Sequence, residues 1–119
     1  MRCKHILLVE DDYLIGLNIQ QTLTSAGFDV SGPAMNVAAG MELITENKLD
    51  AAVLDVNLGD QFSEEIVLRL MDLKIPYLLL TGYDRENLPD IFAGAPLMEK
   101  PFDGNELIST IQELCKQNR

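Results

Sequence analysis

Four short β-prone apolar runs, each stopping at a polar or charged residue, constrain this chain more than any other feature. They are Ile6-Leu7-Leu8-Val9 before Glu10, Ala51-Ala52-Val53-Leu54 before Asp55, Pro76-Tyr77-Leu78-Leu79-Leu80 before Thr81, and Leu97-Met98 before Glu99-Lys100. A strand that is apolar at every position, not at alternate ones, is buried on both faces, which requires a sheet covered by helices on both sides. Phe28-Asp29-Val30 is a weaker fifth run that ends at Gly32-Pro33.

Helical periodicity fills the intervals. Tyr13 to Ala26 carries Ile15, Ile19 and Leu23 at i, i+4 and i+8 before Gly27, a natural helix stop. Asn36 to Lys48 sets Val37, Met41 and Ile44 on one face, and Ser63 to Leu73 does the same with Ile66, Leu70 and Leu73. Asp103 to Lys116 opens with Asp103 and Glu106 at capping-box spacing and carries Leu107, Ile111 and Leu114. Tyr83 to Phe92 contains Pro89, which lacks a backbone donor, so a short or irregular fourth helix is expected there. The alternation predicts a doubly wound (βα)5 α/β domain with a five-stranded parallel sheet. Right-handed crossovers leave few strand orders, of which the flavodoxin-like 2-1-3-4-5 is the natural one at this size.

A chain of 119 residues accommodates one such domain, so residues 1–119 are read as a single unit. Apolar residues make up 47% of it, but no apolar run approaches the length that spans a bilayer. The first apolar run is four residues long and meets Glu10-Asp11-Asp12, too short for a secretory h-region, so a soluble, cytoplasmic protein is expected. Cys3 and Cys115 lie at opposite ends in no metal or redox spacing and read as reduced thiols. Nineteen acidic against nine basic residues give a net charge of -10, the wrong sign for a phosphate backbone or an anionic membrane.

In open α/β sheets the ligand site lies beyond the carboxyl ends of the strands. That rule selects Glu10-Asp11-Asp12, Asp55, Thr81 and Glu99-Lys100 for one edge. Carboxylates gathered there repel one another, and a hard divalent cation with oxygen ligands, Mg²⁺ in the first place, relieves the repulsion. His5 is the single histidine and precedes the first strand, which excludes histidine-based zinc sites and nucleophilic triads. A carboxylate nucleophile remains. Asp55 would attack phosphorus, with Mg²⁺ and Lys100 neutralising the transferring group and Thr81 donating a hydrogen bond.

Val9-Glu10-Asp11, Asp55 after the third strand, Thr81 after the fourth and Lys100-Pro101-Phe102 after the fifth resemble the signature of response-regulator receiver domains, along the whole chain. The resemblance implies Asp55 as phosphoacceptor and Glu10 and Asp11 as an acidic pair. It also implies the Asn57 carbonyl as a further ligand to Mg²⁺ or Mn²⁺, Thr81 as switch hydroxyl, Lys100 as phosphate counter-ion, and a cis bond before Pro101. Asp12 is a neighbour of the pair. The implied partners are a histidine kinase or histidine phosphotransfer protein and a downstream protein target, with no nucleic acid, no membrane, no turnover substrate and a monomer or weak dimer. Output would be protein contact by a stand-alone messenger or drainage of phosphate, and the alternative is a phosphorylation-independent binding module.

Three departures stand out. Leu97 occupies the position of the aromatic switch residue, Thr81 and Lys100 are only nineteen positions apart with Pro89 between them, and Gly59 replaces a frequent proline. Together with Thr81-Gly82-Tyr83 they resemble the FAT GUY subfamily of single-domain receivers, although Leu80 stands where that motif has alanine. Gly82 is a candidate hinge, and Tyr83 a candidate substitute for the missing aromatic.

Overall fold

The computed structural model describes residues 4–59, 61–82 and 88–117. In chain order the elements are β1 (His5–Val9), α1 (Tyr13–Ser25), β2 (Asp29–Ala34), α2 (Val37–Glu46) and β3 (Ala51–Asp55), then β4 (Asn57–Leu58), β5 (Gln61–Phe62) and α3 (Glu64–Asp72). The chain closes with β6 (Tyr77–Thr81), a 3₁₀ turn (Asp90–Phe92), β7 (Leu97–Glu99) and α4 (Gly104–Gln117). The main sheet runs β2-β1-β3-β6-β7 with every neighbouring pair parallel, the flavodoxin-like order expected from the sequence.

The strand pleat explains why the central runs are apolar throughout. Leu7, Val9, Ala52, Leu54 and Leu79 pack with Ile44 of α2, with Ile66, Val67 and Leu70 of α3, and with Phe92 of the 3₁₀ turn. The alternate residues Ile6, Leu8, Ala51, Val53, Leu78 and Leu80 pack with Ile19 and Leu23 of α1 and with Leu107, Ile111 and Leu114 of α4. Each fully buried aliphatic side chain contributes about 1.5–3 kcal/mol, against about 1 kcal/mol for a helix cap, so packing on both faces dominates the placement of the helices.

Caps set the entries. Asp12 Oδ1 accepts from Leu14 and Ile15 N–H at the start of α1, and Asn36 accepts from Ala39 N–H at the start of α2. Ser63 occupies the cap position of α3 without capping it, because its hydroxyl donates to Val56 O instead.

The structure departs from the sequence reading in five places. The second strand does not stop at Gly32-Pro33 but continues through it to Ala34, with a register irregularity between Leu7 and Val9 of β1. In α1 the buried stripe is Gly16, Ile19 and Leu23, and Ile15 is turned outward, since Gly16 lies against Pro33 where a Cβ would come within 2.9 Å of that ring. In α3 Leu73 is exposed, because the helix ends at Asp72 and Lys74 takes φ 60°, turning the chain away before the stripe gains another residue. Cys115 is disulfide-bonded, not a reduced thiol, and its partner lies outside the described residues. Gly82 has no positive φ, so the conformational freedom that made it a candidate hinge is not used, and Tyr83 lies outside the described residues.

Pro89 precedes the 3₁₀ turn at Asp90–Phe92 and its carbonyl accepts from Phe92 N–H, in keeping with a short, irregular fourth helical segment. The bonds before Pro33 and Pro101 are cis, the latter as the resemblance implied. Among the described residues no helix is long and apolar enough to cross a membrane.

Candidate functional site

Parallel pairing brings the carboxyl ends of four strands level. Val9 pairs with Leu54, Asp55 with Leu80 and Thr81 with Glu99, so Glu10, Asp55, Thr81 and Lys100 meet at one edge. Backbone bonds just past the strands hold the ends together: Val56 N–H donates to Leu80 O at 3.0 Å and Lys100 N–H to Thr81 O at 2.9 Å. Among the described residues only Glu10, Asp55, Ser63 and Thr81 are both polar and buried, and three of them are at this edge. Polar groups are taken out of water at such a cost only where something else compensates them.

Lys100 supplies part of that compensation. Its Nζ stands 2.9 Å from Glu10 Oε1 and 2.9 Å from Asp55 Oδ1. The hydrogen bond is aligned toward Glu10, which leaves the buried Asp55 Oδ1 an ion-pair neighbour but no hydrogen-bond partner. Glu10 Oε2 accepts from Asp12 N–H at 3.1 Å. Burial pushes the Asp55 carboxyl up, Glu10 beside it pushes further, and Lys100 opposes both, with the result near 9. Burial alone would lower Lys100, but the two carboxylates outweigh it and hold the ammonium above its ordinary range.

Glu10, Asp11 and Asp55 each present a carboxylate oxygen, and these oxygens lie within 4.8 Å of one another. Three carboxylates against one ammonium leave the pocket short of positive charge, and Asp55 Oδ1 is unpartnered by hydrogen bonds. Both observations fit a hard divalent cation, which takes oxygen ligands and neutralises such a cluster. Asp12 is not part of the cluster, its carboxylate being engaged at the α1 cap, as its placement beside the pair anticipated. Asn57 follows two residues after Asp55, half-buried, and opens a two-residue hairpin strand paired with β5. Leu97 lies half-buried against the core at the start of β7, with no aromatic ring in that place. His5, at the opposite end of β1 from Glu10, is half-buried with its Nε2 2.6 Å from Ser31 Oγ.

Two features escaped sequence reasoning. The hairpin of β4 and β5 is too short to carry a periodic signal, and Gly59 at its turn donates its N–H to Asp11 Oδ2 at 2.9 Å. The Glu10–Lys100 ion pair joins residues 90 apart, which no local pattern records. The acid-to-lysine pairing was legible only as convergence on an edge.

The raised Asp55 group makes stability depend on pH with a definite sign. The unfolded chain releases this proton near 3.8, whereas the folded pocket keeps it to about 9, so between those values the unfolded state binds fewer protons. Stability from this group is therefore complete below the lower value and is lost as pH rises through the window. In EDTA the wild-type melting temperature should fall between pH 5 and pH 8 more steeply than that of Asp55→Asn. A wild-type curve that rises more steeply than the variant's over this interval would contradict the assignment.

The chain belongs to the response regulator receiver domain family, whose sequence profile matches residues 6–112. It is 31% identical over 119 aligned residues to the transcriptional regulatory protein PrrA of Mycobacterium tuberculosis, the alignment covering 94% of this chain and 50% of PrrA. It is 34% identical over 117 residues to the transcriptional regulatory protein QseB of Haemophilus influenzae, covering 94% of this chain and 52% of QseB. The chain thus spans about half the length of these curated relatives. Among solved structures it is similar to a CheY-like receiver domain protein from Methanospirillum hungatei, with TM-score 0.87, 25% identity and coverage of 98% and 97%. It is also similar to SdrG from Sphingomonas melonis, with TM-score 0.82, 28% identity and coverage of 96% and 98%. Receiver domains are signalling modules without a turnover substrate that work between histidine kinases and downstream effectors. They bind Mg²⁺ at an acidic pocket, which here corresponds to Glu10, Asp11 and Asp55.

Proposed function

We propose that residues 1–119 form one receiver domain whose Asp55 accepts a phosphoryl group from a phosphohistidine donor. The observation that carries this reading is a buried carboxyl group ion-paired at 2.9 Å to an ammonium and grouped with two further carboxylates. In the transfer, a carboxylate oxygen of Asp55 bonds to phosphorus as the bond between phosphorus and the donor imidazole breaks, and the electron pair stays with the imidazole nitrogen. Lys100 balances charge on the phosphoryl oxygens, and Thr81, buried at the end of β6, donates its hydroxyl to one of them. A bound Mg²⁺ or Mn²⁺, held by Glu10, Asp11, Asp55 and the Asn57 carbonyl, supplies the remaining positive charge and keeps the nucleophile ionised. Water later cleaves the acyl phosphate and releases inorganic phosphate.

The donor has a surface to land on. Tyr13, Leu14 and Ile15, in the first turn of α1, are exposed, and an apolar groove of about 380 Å³ runs from Ile15 and Thr22 to Lys100 and Phe102. A net charge of -10 supports output through protein contact or phosphate drainage over contact with nucleic acid by these residues. Thr81-Gly82-Tyr83, together with an aliphatic Leu97 and Pro89 between Thr81 and Lys100, supports membership of the FAT GUY subfamily.

The test is intact mass after exposure to acetyl phosphate or a phosphorylated histidine kinase with Mg²⁺. Wild type should gain one phosphoryl group and Asp55→Asn none. Equal gain in both would place the phosphoryl group on another residue and overturn the role of Asp55, and no gain in either would leave a phosphorylation-independent binding module.

A further inference from the structure

The loop that follows Asp55 is more built than a connection of its length requires. Ser63 is fully buried, and both its N–H and its hydroxyl are directed to Val56 O, at 2.9 and 3.2 Å, which closes the base of the loop. Between these residues β4 and β5 pair antiparallel, Asn57 with Phe62 and Leu58 with Gln61. The ring of Phe62 lies 6.4 Å from that of the core residue Phe92, centroid to centroid and tilted by 49°, a separation within the attractive range for aromatic pairs. The loop is thus held at its base by a buried serine and at its second strand by an aromatic anchor on a separate part of the chain.

At its tip this framework presents the backbone amide of Gly59. Gly59 takes φ +67°, the left-handed region that glycine enters without a Cβ penalty, and its N–H meets Asp11 Oδ2 at 2.9 Å. Asp11 is one of the three clustered carboxylates, so this amide holds a candidate metal ligand by one of its oxygens. Groups that hydrogen-bond a metal ligand from behind fix its rotamer, and their loss typically lowers metal affinity by about ten- to a hundredfold.

We propose that Gly59 is a positioning residue for the divalent-metal site, its amide, braced by the β4–β5 hairpin, holding Asp11 in the geometry that receives the ion. The inference rests on the reading of Glu10, Asp11 and Asp55 as that site. It makes the loop after the phosphoacceptor part of the metal-binding apparatus on a side chain 48 positions away.

Three forms of the full chain test it, with Mg²⁺ alone as the probe and calorimetric titration as the readout. Replacing the amide of residue 59 by an ester, through semisynthesis with glycolic acid, deletes the donor and leaves backbone shape and side chains unchanged. It should weaken Mg²⁺ binding about tenfold. Gly59→Ala keeps the N–H, and an added Cβ would meet nothing within 4 Å, so it should lower the melting temperature through backbone strain at positive φ while Mg²⁺ affinity stays near that of wild type. Phe62→Ala touches no group in the pocket and should give a loss between the two by loosening the brace. An ester form that binds Mg²⁺ as wild type does, or a Gly59→Ala variant that loses affinity in step with the ester, would overturn the positioning role and leave the metal site intact. Wild type that takes up no Mg²⁺ would overturn the metal reading itself and the positioning role with it.

Discussion

Lys100→Met should destabilise the metal-free protein by about 3 kcal/mol at neutral pH, at the lower end of what breaking a buried ion pair costs. The ammonium neutralises the buried Glu10 carboxylate and stands equally close, at 2.9 Å, to the Asp55 carboxyl, which burial keeps protonated at this pH. Glu10 has no exposed surface, so water cannot replace the lost cation without opening the strand ends. The lower end applies because Lys100 keeps 26% of its side chain exposed and because protonation of a carboxylate limits the penalty. Adding Glu10→Gln to the variant should restore most of the stability, since replacing both partners removes the orphaned charge. Urea midpoints in EDTA at pH 7.5, for the two single variants and the double, measure this directly. A single-variant loss below about 1 kcal/mol would mark the pair as solvent-screened. In Mg²⁺ the variant should still fold but take up phosphoryl groups poorly, because the counter-ion for the transferring group is gone.

That double role shows where sequence reasoning reaches its limit. Convergence of Glu10, Asp55, Thr81 and Lys100 was legible because each terminates an apolar run, and the strand-end rule needs no contact information. The internal wiring of the edge was not. Lys100 was read as a partner for an incoming phosphate, whereas its aligned hydrogen bond goes to Glu10. The Gly59 amide was invisible for a related reason, since a backbone donor has no residue type to recognise and its acceptor lies 48 positions back. Helix faces were legible to within one position. Ile15 was assigned to the core and Gly16 holds that place, because a glycine carries no apolar signal even where its lack of a side chain lets helix and strand approach. Departures in composition fared better: Pro89 forecast the irregular segment and a 3₁₀ turn follows it. The second strand was read as ending at Gly32-Pro33 by the ordinary turn rule, which the tertiary structure overrides.

Gly32→Ala should be among the most disruptive single-methyl changes this chain can receive. The residue holds φ +121° inside β2, a backbone region that essentially only glycine enters. A Cβ built there would lie 2.2 Å from Leu8 O and 2.9 Å from Ala34 N, both backbone atoms and neither able to swing aside as a side chain would. Leu8 belongs to β1, which pairs with β2 on one side and β3 on the other, so relief of the overlap must move β2 away from the sheet. The displaced segment includes Ala34, whose carbonyl accepts from Glu10 N–H at 2.8 Å, and Pro33, against which α1 packs at Gly16. Strain at a special backbone conformation combined with a rigid overlap belongs with the large losses, about 4 kcal/mol or more, enough to unfold a domain of ordinary stability in part of the population. Gly27→Ala is the matched control: φ is +99° there too, but an added Cβ meets nothing within 4 Å, so the loss should be limited to the backbone term of about 1–2 kcal/mol. Urea melts of both variants separate the contributions. Equal losses would mean that β2 moves freely, in which case Glu10 would owe its position to Lys100 and the sheet interior and not to the strand beside it. A much larger loss at Gly32 would place the packing of α1, β2 and β1 upstream of the acidic site, with a change outside the pocket weakening Mg²⁺ binding because it shifts the backbone from which Glu10 and Asp11 extend.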